Sequence, residues 1–271
     1  LSDSLELSAS LSGSHWIRGL GIEGSASNMG GIVMNGEHQG RIALVTGGSK
    51  GLGREVALRL AQAGATVVAN YRSDKKAAEE ILLELRMFSK DCMIVQADIT
   101  DPSQVDFLFG ELQSKFGRVD ILVNNVGDFI FKPLMETRDS EFVQTIESNL
   151  FTAFFCTTRA LALMGDGYGR VINIGAVGAD RMLLRKLTTP YYIAKAGLVM
   201  LSKVMALDCK EGVTINVVSP GILENGVRPT GATVIDYSDV SNVVMFLTEV
   251  KAQNVNGANI EVSGGWVLGM Q

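Results

Sequence analysis

From Arg41 onward the chain alternates between short runs of β-branched and other apolar residues and longer stretches in which apolar positions recur every three or four residues. The short runs, predicted as strands, lie at 42–45, 66–69, 93–95, 121–123, 171–174, 214–218 and 259–262. Helical spacing is read from Val56, Leu58, Leu60 and Ala61, a segment ending near Gly64, and from YYIAKAGLVMLSKVMAL, whose alanines, leucines and methionines favour a helix. Such alternation predicts an α/β domain, a parallel sheet with helices on both faces and ligands bound at the carboxyl ends of the strands. Residues 1–40 are different: rich in serine and glycine, with scattered acids and no sustained periodicity. They are expected to form a mobile N-terminal extension ahead of a single domain, 41–271.

Two local patterns carry chemistry. TGGSKGLG at 46–53 lies between the first strand and the first helix. Glycines at such a turn let the backbone approach a pyrophosphate, and the helix amides and dipole attract its charge. The candidate contacts are Gly47, Ser49, Lys50, Gly51, Leu52 and Gly53, although the glycines are spaced G-x-x-x-G-x-G and an unrelated glycine-rich loop reads the same way. The second pattern is Tyr191 and Lys195, four residues apart on one predicted helix face. A free phenol has a pKa near ~10, and a neighbouring cation is expected to lower it into the range of general acid catalysis. Taken alone, the spacing also describes ordinary helix-surface neighbours.

TGGSKGLG, Asp98, NNVG at 124–127, Asn149, the Tyr191/Lys195 pair and SPG at 219–221 stand in the order and spacing of the short-chain dehydrogenases/reductases, which the chain resembles from about Arg41 to Trp266. Within that family IESNL around Asn149 and the closing VSGGW look most like the 3-oxoacyl carrier-protein reductases. The resemblance implies a doubly wound, Rossmann-type parallel sheet of about seven strands. It implies Tyr191, Lys195 and Asn149 as catalytic residues, with Lys195 also holding the nicotinamide ribose and Asn149 a water that links the lysine to solvent. Asn125 and Gly127 would line the cofactor. Asp98 would meet the adenine, or serve as a carboxylate near a helix N-cap. Pro220, Gly221 and Leu223 would contact the nicotinamide carboxamide, with Asn225 in place of a later hydroxyl.

An acidic residue closing the second strand would select NAD; in GATVVANYR that place is Tyr71, followed by Arg72, while Lys50 sits in the glycine turn. Two cations and no carboxylate predict NADP (NADPH) as cofactor. The serine that the family places after VINI is absent, for the sequence continues Gly175-Ala176 and neither side chain donates a hydrogen bond. Thr188 or Thr189 is expected to cap the helix bearing Tyr191, or to supply the missing hydroxyl. After Gly221, ILENGVRPTGATVIDY suggests a short lid, and Arg181, Arg185 and Lys186 border the mouth, where an anionic carrier or its phosphopantetheine arm would meet them or leave them solvated. The expected activity is therefore an NADPH-dependent carbonyl reductase acting on a small or carrier-tethered carbonyl substrate such as a 3-oxoacyl thioester. A pteridine-type reductase and an NADP-binding protein without turnover are the alternatives.

Composition narrows the field further. A net charge of −5 and no dense Lys/Arg stripe argue against nucleic acid, and no apolar run is long enough for a membrane span. Cys92, Cys156 and Cys209 are odd in number and far apart, which fits a reducing, cytoplasmic setting better than disulfides or zinc. His15 and His38 both precede the first strand, so no metal is expected in the catalytic domain, nor Ser-His-Asp chemistry. The resemblance further implies a homo-oligomer, a tetramer or dimer, for which the apolar NLFTAFFCTTRALALM supplies an interface helix.

Overall fold

The computed structural model describes residues 36–181, 183, 185–224, 226 and 233–265. The sheet contains β1 (Ile42–Val45), β2 (Thr66–Tyr71), β3 (Met93–Gln96), β4 (Ile121–Asn124), β5 (Gly169–Ile174) and β6 (Val213–Pro220). A short parallel pair, β7 (Ile222–Leu223) and β8 (Val234–Ile235), stands apart, and β9 (Asn259–Val262) completes the sheet. The seven-stranded sheet runs β3-β2-β1-β4-β5-β6-β9 and every pairing is parallel. All seven predicted strands are present, several extended by one to three residues at their ends. The helices are α1 (Gly51–Gln62), α2 (Lys75–Arg86), α3 (Pro102–Phe116), α4 (Asp139–Ile146), α5 (Thr152–Leu163), α6 (Thr189–Asp208) and α7 (Tyr237–Thr248).

Alternate strand residues sort to opposite faces, as the pleat requires. Ala43, Val45, Val67, Ala69, Ile121 and Val123 meet Val56 and Leu60 of α1, Ile81 of α2 and Val244 of α7. Leu44, Val68, Leu122, Val171 and Ile215 meet Leu108 and Leu112 of α3 and Cys156 and Ala160 of α5. Burying each such valine or leucine contributes about 1.5–3 kcal/mol, which is why strands covered on both faces read as unbroken apolar runs. The helix ends follow local chemistry. Asp101 caps α3 by accepting from Ser103 N at 2.9 Å, Pro102 opens its first turn, and Gly117 ends it at φ +70°.

The domain extends upstream of Arg41. Gly36–His38 form a short 3-10 helix, His38 N donates to Ala63 O at 2.9 Å, and the buried imidazole lies 3.0 Å from Thr248 Oγ1. Segment 36–40, grouped by composition with the extension, is thus packed against α1 and α7; residues 1–35 lie outside the described ones. Nearby, the Tyr168 ring is sandwiched between the guanidinium groups of Arg41 at 3.6 Å and Arg170 at 4.3 Å, and its hydroxyl donates to Thr248 O at 2.6 Å.

Burial lowers the His38 pKa below its ordinary 6.5, with Glu249 opposing and Arg41 assisting. The unfolded chain therefore binds the proton more readily, and this part of the stability, present above the unfolded value, is lost as pH falls through 6.5. Thermal unfolding from pH 8 to pH 5 should show a drop in melting temperature that is shallower in His38→Gln. At pH 8 His38→Ala should cost about 1–3 kcal/mol, because a buried imidazole and its hydrogen bond to Thr248 Oγ1 are lost; equal melting curves for parent and variant would contradict this.

Candidate functional site

Strand order reverses between β1 and β4, and the crevice at their carboxyl ends is where an open α/β sheet binds ligand. Side chains at those ends fix the glycine turn. The Thr46 hydroxyl accepts from Asn125 N at 2.9 Å, and Asn125 Nδ2 donates to the carbonyls of Thr46 at 3.0 Å and Gly47 at 3.3 Å. From β2, Asn70 O accepts from Gly48 N at 2.9 Å while Asn70 Nδ2 donates to Ala97 O at 3.0 Å. Thr46 and Asn70 were not singled out from sequence. Their signal is a polar residue at the end of an otherwise apolar strand, which ordinary turn chemistry also produces.

The turn leaves the start of α1 open to the crevice. α1 begins without a side-chain cap, so its first-turn amides face the crevice without competition from the chain's own cap. A Cβ on Gly53 would lie 2.4 Å from Gly47 O and 2.6 Å from Asn125 Nδ2, so only glycine permits this approach of helix to turn. Beside it opens a cavity of about 440 Å³ lined by Gly47, Ser49, Lys50, Arg72, Asp98, Asn125 and Gly127 of the predicted set. Leu52 instead turns into the core, contributing backbone only. Asp98 accepts from the Thr100 hydroxyl at 2.7 Å, and the cap of α3 is Asp101, so Asp98 is not a helix cap. The chemistry of these residues suits a dinucleotide: uncapped helix amides for its diphosphate, cations at the rim, and a cavity of about 440 Å³ beside them.

One expectation about the rim is corrected. Asp74 lines the same cavity and forms an ion pair with Lys50 while capping α2 through Ala77 N at 3.0 Å. A carboxylate is therefore present after all, three residues beyond Tyr71. The Ala77 amide and then Lys50 lower its pKa, so it stays ionised at neutral pH. Arg72 is exposed and has no ion-pair partner among the described residues.

The second half of the site adjoins the first through residues 125–129. Pro190 opens the first turn of α6 and places Tyr191 and Lys195 one helical turn apart. Lys195 is buried and donates from Nζ to Ile174 O at 2.6 Å, with Nζ 5.6 Å from the centre of the Tyr191 ring. Tyr191 packs edge-to-face with Phe129 at 5.1 Å and with Tyr192 at 5.6 Å. Burial pushes the phenol up from 10 and brings the lysine down to about 7. The expected lowering of the tyrosine pKa by Lys195 is therefore absent in this arrangement: desolvation of the phenol outweighs a cation directed at a carbonyl.

Asn149 sits in a π-helical turn, Glu147–Phe151, between α4 and α5. Its Nδ2 donates to Asp128 O at 2.8 Å and Thr145 O at 3.0 Å, while Oδ1 is a buried acceptor with no protein partner. Gly127 makes room for it, since a Cβ there would come within 2.2 Å of that oxygen. The amide thus braces the helix irregularity and keeps an acceptor turned inward.

Ala176 is buried, and a Cβ on Gly175 would meet Ser219 Oγ at 2.4 Å, so position 175 has no space for a hydroxyl. Thr188 stands at the N-cap of α6 without making the capping bond, and the Thr189 hydroxyl is spent on Arg185 O, so the expected caps are not formed. Pro220 ends β6 and Gly221 and Leu223 follow it, all outside the cavity lining; Gly221 N donates to Val262 O at 2.8 Å. Asn225 and lid residues 227–232 lie outside the described residues. Two of the three mouth cations are engaged within the chain, Arg181 with Glu261 and Arg185 over the Tyr192 ring at 4.8 Å, leaving Lys186 exposed.

With crevice, turn and Tyr-Lys pair in place, the comparisons define the class. A family model described as short chain dehydrogenase matches residues 41–231, and the chain belongs to that family. The 3-oxoacyl-[acyl-carrier-protein] reductase FabG of Staphylococcus aureus is 33% identical over 246 residues, covering 83% of this chain and 98% of the relative. The corresponding Escherichia coli protein is 33% identical over 247 residues, covering 85% and 98%. Among solved structures, a blue fluorescent protein from a metagenomic library in complex with NADPH has a TM-score of 0.79 at 33% identity, covering 84% of this chain and 98% of its own. The angucycline C-6 ketoreductase LanV with bound NADP has a TM-score of 0.77 at 32% identity, covering 86% and 98%.

Gly53→Ala should cost about 1–3 kcal/mol of stability, the usual range for overpacking, because the new methyl meets backbone and a clamped amide rather than a flexible side chain. It should also weaken dinucleotide binding by at least tenfold. Melting curves and a fluorescence titration of NADPH check both, and unchanged affinity would contradict the cradle.

Proposed function

We propose that the protein is an NADPH-dependent carbonyl reductase in which Tyr191 is the proton donor, Lys195 its electrostatic partner and Asn149 a positioning residue. The protein is an NADP-dependent oxidoreductase of the short-chain family; the direction and the residue roles are our reading. The observation that carries it is contiguity: Gly127 and Asp128 line the dinucleotide cavity, and the next residue, Phe129, packs on Tyr191. Bound NADPH supplies the hydride. Tyr191 donates its proton to the carbonyl oxygen; burial raises the phenol pKa in the ligand-free protein, so the donor depends on charge stabilisation from Lys195 during transfer. As the phenol loses that proton, the Lys195 ammonium, 5.6 Å from the ring, stabilises the phenolate. Without a hydroxyl at Ala176, the oxygen has one side-chain donor fewer than the family pattern supplies.

The curated relatives support a 3-oxoacyl thioester as one substrate class. The engagement of Arg181 and Arg185 within the chain weakens the case for an acidic carrier. Binding of NADP without turnover is the second reading, favoured by Ala176. A self-associating chain is supported by the apolar groove between α5 and α6, lined by Leu150, Phe151, Phe154, Met200 and Val204, which a second copy would cover.

Tyr191→Phe should lower NADPH-dependent ketone reduction by about 10²–10⁴-fold with NADPH affinity retained. Ala176→Ser should raise the rate, by up to about 10²–10³-fold if the hydroxyl reaches the oxygen. Stopped-flow and steady-state NADPH oxidation check these. Turnover insensitive to Tyr191→Phe would defeat the mechanism, and no turnover in parent or serine variant would favour the binding reading.

Arg72→Ala should weaken NADPH binding and leave NADH little changed, because Arg72 is the exposed cation at the rim. Asp74→Asn should tighten NADPH by releasing Lys50 toward the 2′-phosphate. Parallel titrations of the two cofactors decide it, and equal responses of NADPH and NADH in both variants would show that neither side chain meets the phosphate.

A further inference from the structure

We propose that the aromatic rings running through Tyr191 form a substrate platform, and that the carbonyl compound reduced here is planar and aromatic. This rests on the carbonyl-reductase reading above. Phe131, Phe129, Tyr191 and Tyr192 form an unbroken succession, with ring centres 6.4, 5.1 and 5.6 Å apart, and the Arg185 guanidinium ends it 4.8 Å over Tyr192. The first two rings are nearly parallel, at 29°, and the next contacts are edge-to-face at 78° and 79°.

Phe129 and Phe131 are 51% and 53% exposed, although a buried ring is among the largest apolar gains available to a chain. They follow directly on the residues that line the dinucleotide cavity. Any ketone whose oxygen takes the Tyr191 proton must bring that oxygen within about 3 Å of the phenol. The carbon skeleton on one side of it then falls within reach of Phe129, and a longer planar skeleton within reach of Phe131. Four further observations favour flat aromatic contact over polar anchoring. Ala176 offers no second hydrogen bond to the carbonyl oxygen, and no side chain at 175 has space to do so. Arg181 is occupied by Glu261, and Arg185 lies over Tyr192 at the buried end of the aromatic run. With few polar anchors beside Tyr191, the skeleton carries much of the orientation, and each ring pair is worth about two- to tenfold in affinity. In the reaction the carbonyl carbon gains the hydride of NADPH and the oxygen gains the Tyr191 proton, which solvent replaces. A secondary alcohol and NADP⁺ are the products.

The test uses the full chain with NADPH and three probes: 2-acetylnaphthalene, its saturated analogue 2-acetyldecalin, and an acetoacetyl thioester of N-acetylcysteamine. We expect kcat/KM for the aromatic ketone to exceed that for the saturated one by at least tenfold. In Phe131→Leu, which keeps apolar bulk and does not touch Tyr191, this ratio should fall toward one, chiefly through a raised KM. Phe129→Leu should reduce it further. Because a variant can lose activity by misfolding, 2-naphthol binding to the NADP⁺-loaded protein is measured by calorimetry alongside melting temperature; binding should weaken in both variants at unchanged melting temperature. Equal rates on aromatic and saturated ketones, a preference that survives both substitutions, or a thioester preferred to both ketones would overturn the platform while leaving the reductase intact. No NADPH oxidation with any probe would overturn the reductase reading and the platform with it.

Discussion

The Asn125 carboxamide, donating to the carbonyls of Thr46 and Gly47, joins the carboxyl ends of β1 and β4 where the strand order reverses. A crevice at a reversal has no covering helix, so the backbone polar groups that border it need side-chain partners. Asn125 and Thr46 supply them on one side and Asn70 on the other. Once the turn is held, α1 starts where its amides face the crevice, and Gly53 can lie against Gly47. The rim cations, the neighbouring cavity and the approach to Tyr191 are all placed relative to that clamp.

Desolvation governs the other half. Lys195 is buried beside a carbonyl and Tyr191 is half-buried between Phe129 and Tyr192, so desolvation brings the lysine pKa down to about 7 and pushes that of the phenol up. A phenol of raised pKa depends on charge stabilisation during proton transfer, and a lysine near neutrality responds strongly to a new charge beside it. Asn149 works in the same setting. Its amide restrains the π-helical turn, and its buried oxygen remains an acceptor facing the interior.

The strands were legible because each is buried on both faces, so no polar alternation breaks the apolar runs at 42–45, 121–123 and 171–174. The glycine turn and the Tyr191–Lys195 spacing were legible because their geometry is local. Segment 36–40 was not, since nothing in GEHQG marks it as core until Ala63 and Thr248 come to meet it. Nor were the partners of Lys50, Arg181 and Arg185: an ion pair or a ring contact between residues 24, 80 or 7 positions apart leaves no periodic trace. Charge counting along the chain saw two cations at the cofactor rim and three at the mouth, where the folded protein neutralises or occupies most of them.

By itself the sequence determined the family, the parallel α/β architecture, the position of the glycine turn and the Tyr191–Lys195 spacing. These follow from residue type, period and short spacing. Only the tertiary structure decided that Asp74 shares the rim, that Asn70 and Thr46 hold the turn, that Lys195 faces Ile174 O, and that Phe129 and Phe131 continue the ring of Tyr191. The physical reason is one of range. Propensity and pattern act over a few residues, whereas burial, and with it the charge state of a lysine or a phenol, depends on what distant segments bring alongside.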